Sequence, residues 1–207
     1  HDLGRVTQEV ALVDNVGMVT VGNGGSVLLY VTGKSPVVIE KVARLMQQRD
    51  ASGVVFTRDA LPGTFPLSAV MLDSPTAPDV LVASSWKMSE SGAGPRKAAV
   101  VNDGYNEYKP GNGMHVTLSP TDLHNIAVAA GPDFRAGVVS SLPSGNVDIA
   151  PTLLSLMGIK PPEALDGRVL SEVIVDGAPA AGKARTEQLD ARAELPNGTW
   201  QQYLKFT

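Results

Sequence analysis

The chain has 207 residues, room for one globular domain with a sizeable core, so a single α/β domain over 1–207 is the starting expectation. Charged residues make up 18% and apolar residues 43%, which excludes wholesale disorder, and a net charge of −4 gives no excess of Lys and Arg with which to bind a nucleic-acid backbone. There is no cysteine, which removes disulfide scaffolds, Cys-ligated zinc, iron–sulfur clusters and thiol nucleophiles together.

In chain order, Met18 to Val21 and Ser26 to Val31 are short β-rich runs separated by Gly22-Asn23-Gly24-Gly25. Ser35-Pro36 then reads as a capped start with Pro at the first helical position. Val38, Ile39, Val42, Leu45 and Met46 follow at helical spacing, predicting a helix over 36–49. Gly53 to Thr57 and Asp79 to Ser84 do not alternate and are expected as strands buried on both faces. Trp86 to Gly113 is poor in apolar residues and rich in Gly and Pro, the pattern of a long functional loop. Ile126 to Ala130 is a further apolar run expected as a strand. Asp148 is placed to cap a helix whose Ile149, Leu153, Leu156 and Met157 share a face and whose C-terminus Gly158 closes. A short helix is predicted on Val169, Leu170, Val173 and Ile174. The end of the chain, Ala184 to Leu195 and Thr199 to Phe206 around Pro196-Asn197-Gly198, reads as an antiparallel hairpin. No apolar run approaches the ~18 residues of a membrane span, so none is expected. No linker or internal repeat divides the chain, and helices interspersed among buried strands imply a layered α/β fold.

Few residue patterns in the chain carry chemistry unaided. Gly22-Asn23-Gly24-Gly25 invites a phosphate-loop reading, but a strand follows where a dinucleotide fingerprint needs a helix N-terminus, which favours a tight turn. Of the three histidines, His115 stands in Gly111-Asn112-Gly113-Met114-His115, where glycines let a loop end aim an imidazole. A metal ligand and an exposed loop histidine both satisfy that setting. His124, just ahead of the Ile126 run, is expected as a hydrogen-bonding plug at a strand start. No Gly-x-Ser-x-Gly elbow appears, so no nucleophile is assigned. The glycosylation sequon Asn197-Gly198-Thr199 is explained by its turn.

Several ordered motifs are more specific: Gly113-Met114-His115 with Leu118-Ser119-Pro120, then Asp122-Leu123-His124-Asn125 and Ala130-Gly131-Pro132-Asp133-Phe134-Arg135. Ser144-Gly145-Asn146-Val147-Asp148-Ile149-Ala150-Pro151-Thr152 and Asp166-Gly167-Arg168-Val169-Leu170 follow. Together, and with Gly24 to Val31 and Leu61 to Leu67, this run resembles the C-terminal part of the type I phosphodiesterase/nucleotide pyrophosphatase family of the alkaline phosphatase superfamily. The resemblance covers most of the chain. It implies a layered α/β/α alkaline-phosphatase-like sheet with helices on both faces, of which this chain is the C-terminal part. It further implies two divalent metal ions, generally zinc, held by Asp and His residues, and a Thr or Ser that attacks phosphorus to form a covalent intermediate. The family's late Gly-x-His ligand maps onto His115. Its upstream Asp-His-Gly motif makes His1 a second metal ligand, with Asp2 standing where Gly is usual. The nucleophile and remaining ligands are then expected outside this chain, which alone is expected to be inactive.

The substrate so implied is a small phosphodiester or nucleotide, and the family's usual setting is periplasmic or secreted. Two rival readings stand beside this one. A sulfatase- or phosphonate-hydrolase-like member of the same superfamily would show an upstream Cys or Ser in a sulfatase-type motif. A non-catalytic binding module would have kept the fold and lost the site.

Overall fold

The computed structural model describes residues 17–89, 99–102, 109, 111–179 and 183–207. The chain is mixed α/β, with several sheets and a final antiparallel hairpin. It divides into two compact units, His1–Asn125 with Leu189–Leu204, and Ile126–Gln188 with Lys205–Thr207.

The first unit is built on a five-stranded sheet in the order β1-β2-β5-β3-β4, formed by β1 (Met18–Asn23), β2 (Ser26–Val31), β3 (Ser52–Thr57), β4 (Phe65–Pro66) and β5 (Val80–Ser84). All neighbours are antiparallel except β3 and β4. The expected strands are therefore present, and Gly24-Gly25 is the hairpin turn between β1 and β2, with Asn23 paired to Ser26. Gly24 takes φ 59°, the left-handed geometry that glycine reaches without steric cost.

Helix α1 (Pro36–Gln47) ends two residues short of the expected span. Pro36 opens it with a preset φ, although the Ser35 side chain makes no capping bond. Val38, Val42 and Met46 fall on one face and are buried against Met18, Val27, Leu29, Val31, Val55, Val80 and Val82. Burial of each such side chain is worth ~1.5–3 kcal/mol, so this layer holds the unit together. Asp79 ties two neighbouring segments. It is 2% exposed, and its carboxylate accepts the Val31 N–H at 2.8 Å. A smaller apolar cluster forms around Phe56, Phe65, Leu67 and Ala77.

Four expectations are corrected here. The stretch Trp86 to Gly113 is not all loop. Three-residue strands β6 (Trp86–Met88) and β7 (Ala99–Val101) pair antiparallel, too short for composition to announce. The residues of 90–98, 103–108 and 110 lie outside the described ones. No strand forms at Ile126 to Ala130. Instead Ser119-Pro120 opens a one-turn helix, α2 (Pro120–Leu123), with Ser119 Oγ accepting the Asp122 N–H at 3.3 Å. Ile126 and Val128 are 77% and 88% exposed. His124 follows α2 as an exposed residue whose N–H donates to the Pro120 carbonyl, so it plugs no core. The predicted short helix near Val169 is a 3-10 turn over Ser171–Val173.

In the second unit α3 (Ile149–Leu156) forms as expected and closes at Gly158, φ 65°. The hairpin of β8 (Glu187–Leu195) and β9 (Gly198–Phe206) places its left-handed residue at Gly198. Gln202, 4% exposed, reaches from β9 to the backbone of β3. Its amide accepts the Val55 N–H at 2.8 Å and donates to the Val55 carbonyl at 2.9 Å. Strand β4 is too short to pair with Val55, and a side chain completes the ladder in its place. No helix among the described residues is long and apolar enough to cross a membrane.

Candidate functional site

His115 lies on an irregular segment between Gly111 and α2, and the residue is exposed. Its backbone is held from two sides. The Gly25 N–H, in the β1–β2 turn, donates to the His115 carbonyl at 2.6 Å. Two residues on, the Thr117 N–H donates to the Asp122 carboxylate at 2.6 Å. Thr117 and Ser119 are buried and hydrogen-bonded to one another at 2.9 Å, which fixes the start of α2. Between these two anchors Val116 has φ 59°, a region that strains a β-branched residue and persists only where the surroundings impose it. The result is an imidazole presented to solvent from a constrained main chain. His1 lies outside the described residues.

Whether His115 alone can hold a metal is a matter of donor count. A neutral imidazole suits zinc, but a zinc centre needs three or four protein donors. Among the described residues no group of three or more His, Asp or Glu side chains converges. His115 therefore fits one ligand position and the described residues do not build a centre.

The resembling motifs of the second unit come together as a structural lock. Asp148 does not cap α3 with its side chain. It is 6% exposed, and its carboxylate accepts the N–H groups of Gly145 and Arg168, each at 2.8 Å. This corrects the expected cap: a 3-10 turn over Asn146–Asp148 leads directly into α3, so the acid reaches back to the N–H of Gly145, which caps that turn, and across to Arg168 on a separate segment. The Thr152 hydroxyl, one turn along, donates to the Asp148 carbonyl at 2.7 Å and accepts the Leu170 N–H at 3.0 Å. Gly167 packs so closely that a Cβ there would lie 2.0 Å from the Val147 carbonyl oxygen. Arg168 closes the lock with a two-pronged ion pair to Glu172 at 2.9 and 2.7 Å. Those hydrogen bonds hold the Glu172 carboxyl down at about 2 against an ordinary 4.5, and burial opposes them. Arg135 donates to the carbonyls of Glu172 and Gly177, and Phe134 bridges to Ile174, tying the Ala130 to Arg135 motif to the same segment.

Beside the lock opens a cleft of about 640 Å³ whose lining includes Ser144, Asp166, Arg168, Ser171 and Lys183. Arg168 is committed to Glu172, so the cleft presents mixed charge without a converging set of donors. Nothing in the sequence links Gly24-Gly25 to His115, since some ninety residues separate them; the glycine pair was visible, but its partner was not. Compared with family models, curated proteins and solved structures, the chain matches none of them.

Proposed function

We propose that this chain is the C-terminal portion of a metal-dependent hydrolase of phosphodiesters or nucleotide pyrophosphates, acting through a covalent Thr or Ser intermediate whose nucleophile lies outside it. The observation that carries the reading is His115, an exposed imidazole on a main chain held at both sides, in the position of the Gly-x-His ligand of the resembling family. In this reading His115 supplies one of the donors to two divalent ions, with the other ligands elsewhere and His1 among them, and the five-stranded sheet belongs to a layered α/β/α fold.

The sheet itself supports a larger fold. Val21, Leu28, Leu81 and Phe56 are paired across β1, β2, β5 and β3 and so form one row on the face opposite α1. Phe56 is 2% exposed and Val21 is 44% exposed, so cover fails progressively toward β1. Val19, on the same face, is 48% exposed. A second layer of helices on that face would bury the row.

Two measurements test the proposal. The 207-residue chain by itself should not hydrolyse a chromogenic phosphodiester with or without added zinc; metal-dependent turnover would overturn the fragment reading. In the longer enzyme encoded upstream, His115→Ala should lose roughly one metal equivalent and most turnover while unfolding stays cooperative. Unchanged metal content in that variant would remove His115 from the ligand set. An upstream sulfatase-type Cys or Ser motif would transfer the chemistry to sulfate or phosphonate esters, and an upstream region with neither a nucleophile nor ligands would make the chain a binding module.

A further inference from the structure

We propose that the Gly24–Gly25 turn is a positioning device for His115, a backbone seat that holds the imidazole against the rigid edge of the sheet. This deepens the ligand reading of His115 and takes its functional meaning from it, but its geometry stands independently.

The seat is continuous with the sheet. Gly25 donates its N–H to the His115 carbonyl at 2.6 Å, and its own carbonyl accepts the Ser84 N–H at 2.8 Å. Ser84 is the last residue of β5, so the main chain at His115 is joined to a central strand by two hydrogen bonds through Gly25.

Turn geometry explains only one of the two glycines. Gly24 has φ 59° and needs glycine for that reason. Gly25 is not among the positive-φ residues, so the turn makes no such demand there. What excludes a side chain at 25 is proximity: a Cβ would lie 2.1 Å from Thr117 Cγ2 and 3.0 Å from the His115 carbonyl oxygen. At Gly24 a Cβ would lie 2.6 Å from that oxygen and 2.9 Å from both Cε1 and Nδ1 of the imidazole. The ring itself therefore rests on the Gly24 α-carbon. Both residues are buried, whereas His115 remains exposed.

The chain is also held where it leaves the seat. Val116 is left-handed, and Thr117 is fixed through its N–H by Asp122. A metal ligand gains affinity when its orientation is set in advance by such support, because less freedom is lost on binding. The Gly24–Gly25 pair is thus a positioning element and not a ligand.

The test uses the 207-residue chain in solution. Proton NMR of the parent should show a cross-relaxation contact between the Gly24 α-protons and the His115 ring Cε1 proton. Gly25→Ala should abolish that contact and shift the His115 ring signals while leaving those of His124 in place. Gly25→Ala combined with Thr117→Ser removes the clashing Cγ2 but keeps the hydroxyl, and should restore the contact at least in part. Absence of the contact in the parent overturns the proposal without any variant needing to fold. Failure of Thr117→Ser to restore it, with both variants folded, overturns the steric mechanism. These results are read without metal, so they are separable from the His115→Ala metal analysis: a seated ring with no effect on metal content would sink the ligand assignment and leave the seat.

Discussion

Asp148 stands immediately ahead of α3, yet its carboxylate serves the N–H groups of Gly145 and Arg168, drawing together segments twenty residues apart. Its partner pair, Arg168 and Glu172, carries a pH consequence. The folded Glu172 titrates at about 2, below its ordinary 4.5, so its contribution is present above 4.5 and is lost as pH falls toward 2. Glu172→Gln should therefore melt at a lower temperature than the parent at neutral pH, and the gap should close between about pH 4.5 and 2. A gap that stays constant across that range, in thermal melts of the two proteins, would show that the ion pair adds nothing. The Glu172 side chain is 13% exposed and that of Arg168 39%, so salt should narrow the gap only in part.

At the scale of elements, one amide makes the polar contact between β9 and β3. Gln202 satisfies both the N–H and the carbonyl of Val55, a job that backbone pairing does elsewhere in the sheet. Gln202→Leu keeps the bulk but strands two buried polar groups, which should cost ~1–3 kcal/mol in chemical denaturation. Amide exchange at Val55 should rise in the same variant. A stability within ~0.5 kcal/mol of the parent would mean that water replaces the amide at no cost. Trp200, on the same strand, donates to the Gly63 carbonyl at 3.0 Å and packs on the core of α1, so two polar anchors hold β9 within the first unit.

At the scale of the whole molecule, apolar burial is unevenly shared. Every buried hydrophobic side chain among the described residues belongs to the first unit. In the second, the buried residues are Asp148 and Thr152, while Ile149, Leu153 and Met157 on α3 are 52%, 49% and 68% exposed. Hydrophobic burial is the main favourable term in folding, so the second unit is held chiefly by hydrogen bonds and the Arg168–Glu172 pair. Hydrogen exchange by mass spectrometry should accordingly find the slowest amides in β2, β3 and β5 and far faster ones across 126–188. Equal protection in both would mean that the α3 stripe is buried in solution. In the longer hydrolase proposed above, the same stripe should gain protection if it is part of an interface.

Local chemistry made much of this legible in the sequence. Strands β1, β2, β3 and β5 follow from β-branched runs, α1 from Pro36 and the Val38/Val42/Met46 spacing, α3 from its apolar repeat and Gly158, and the last hairpin from Pro196-Asn197-Gly198, because each signal lies within a dozen residues. Four features depended on partners distant in the chain and could not be read that way. Ile126 to Ala130 has strand composition but no neighbour with which to pair, and pairing, not propensity, makes a strand. The apolar face of α3 predicts a core that the described residues do not supply, and the Asp148 carboxylate is used by Arg168 instead of by the helix it precedes. His115 could be chosen as a candidate from its glycines and its resemblance, but the seat beneath it comes from Gly24 and Gly25, brought there by the fold of the sheet. Sequence by itself determined which segments could be regular; only tertiary structure decided which groups meet, because a hydrogen bond or a close backbone approach across ninety residues leaves no periodicity to read.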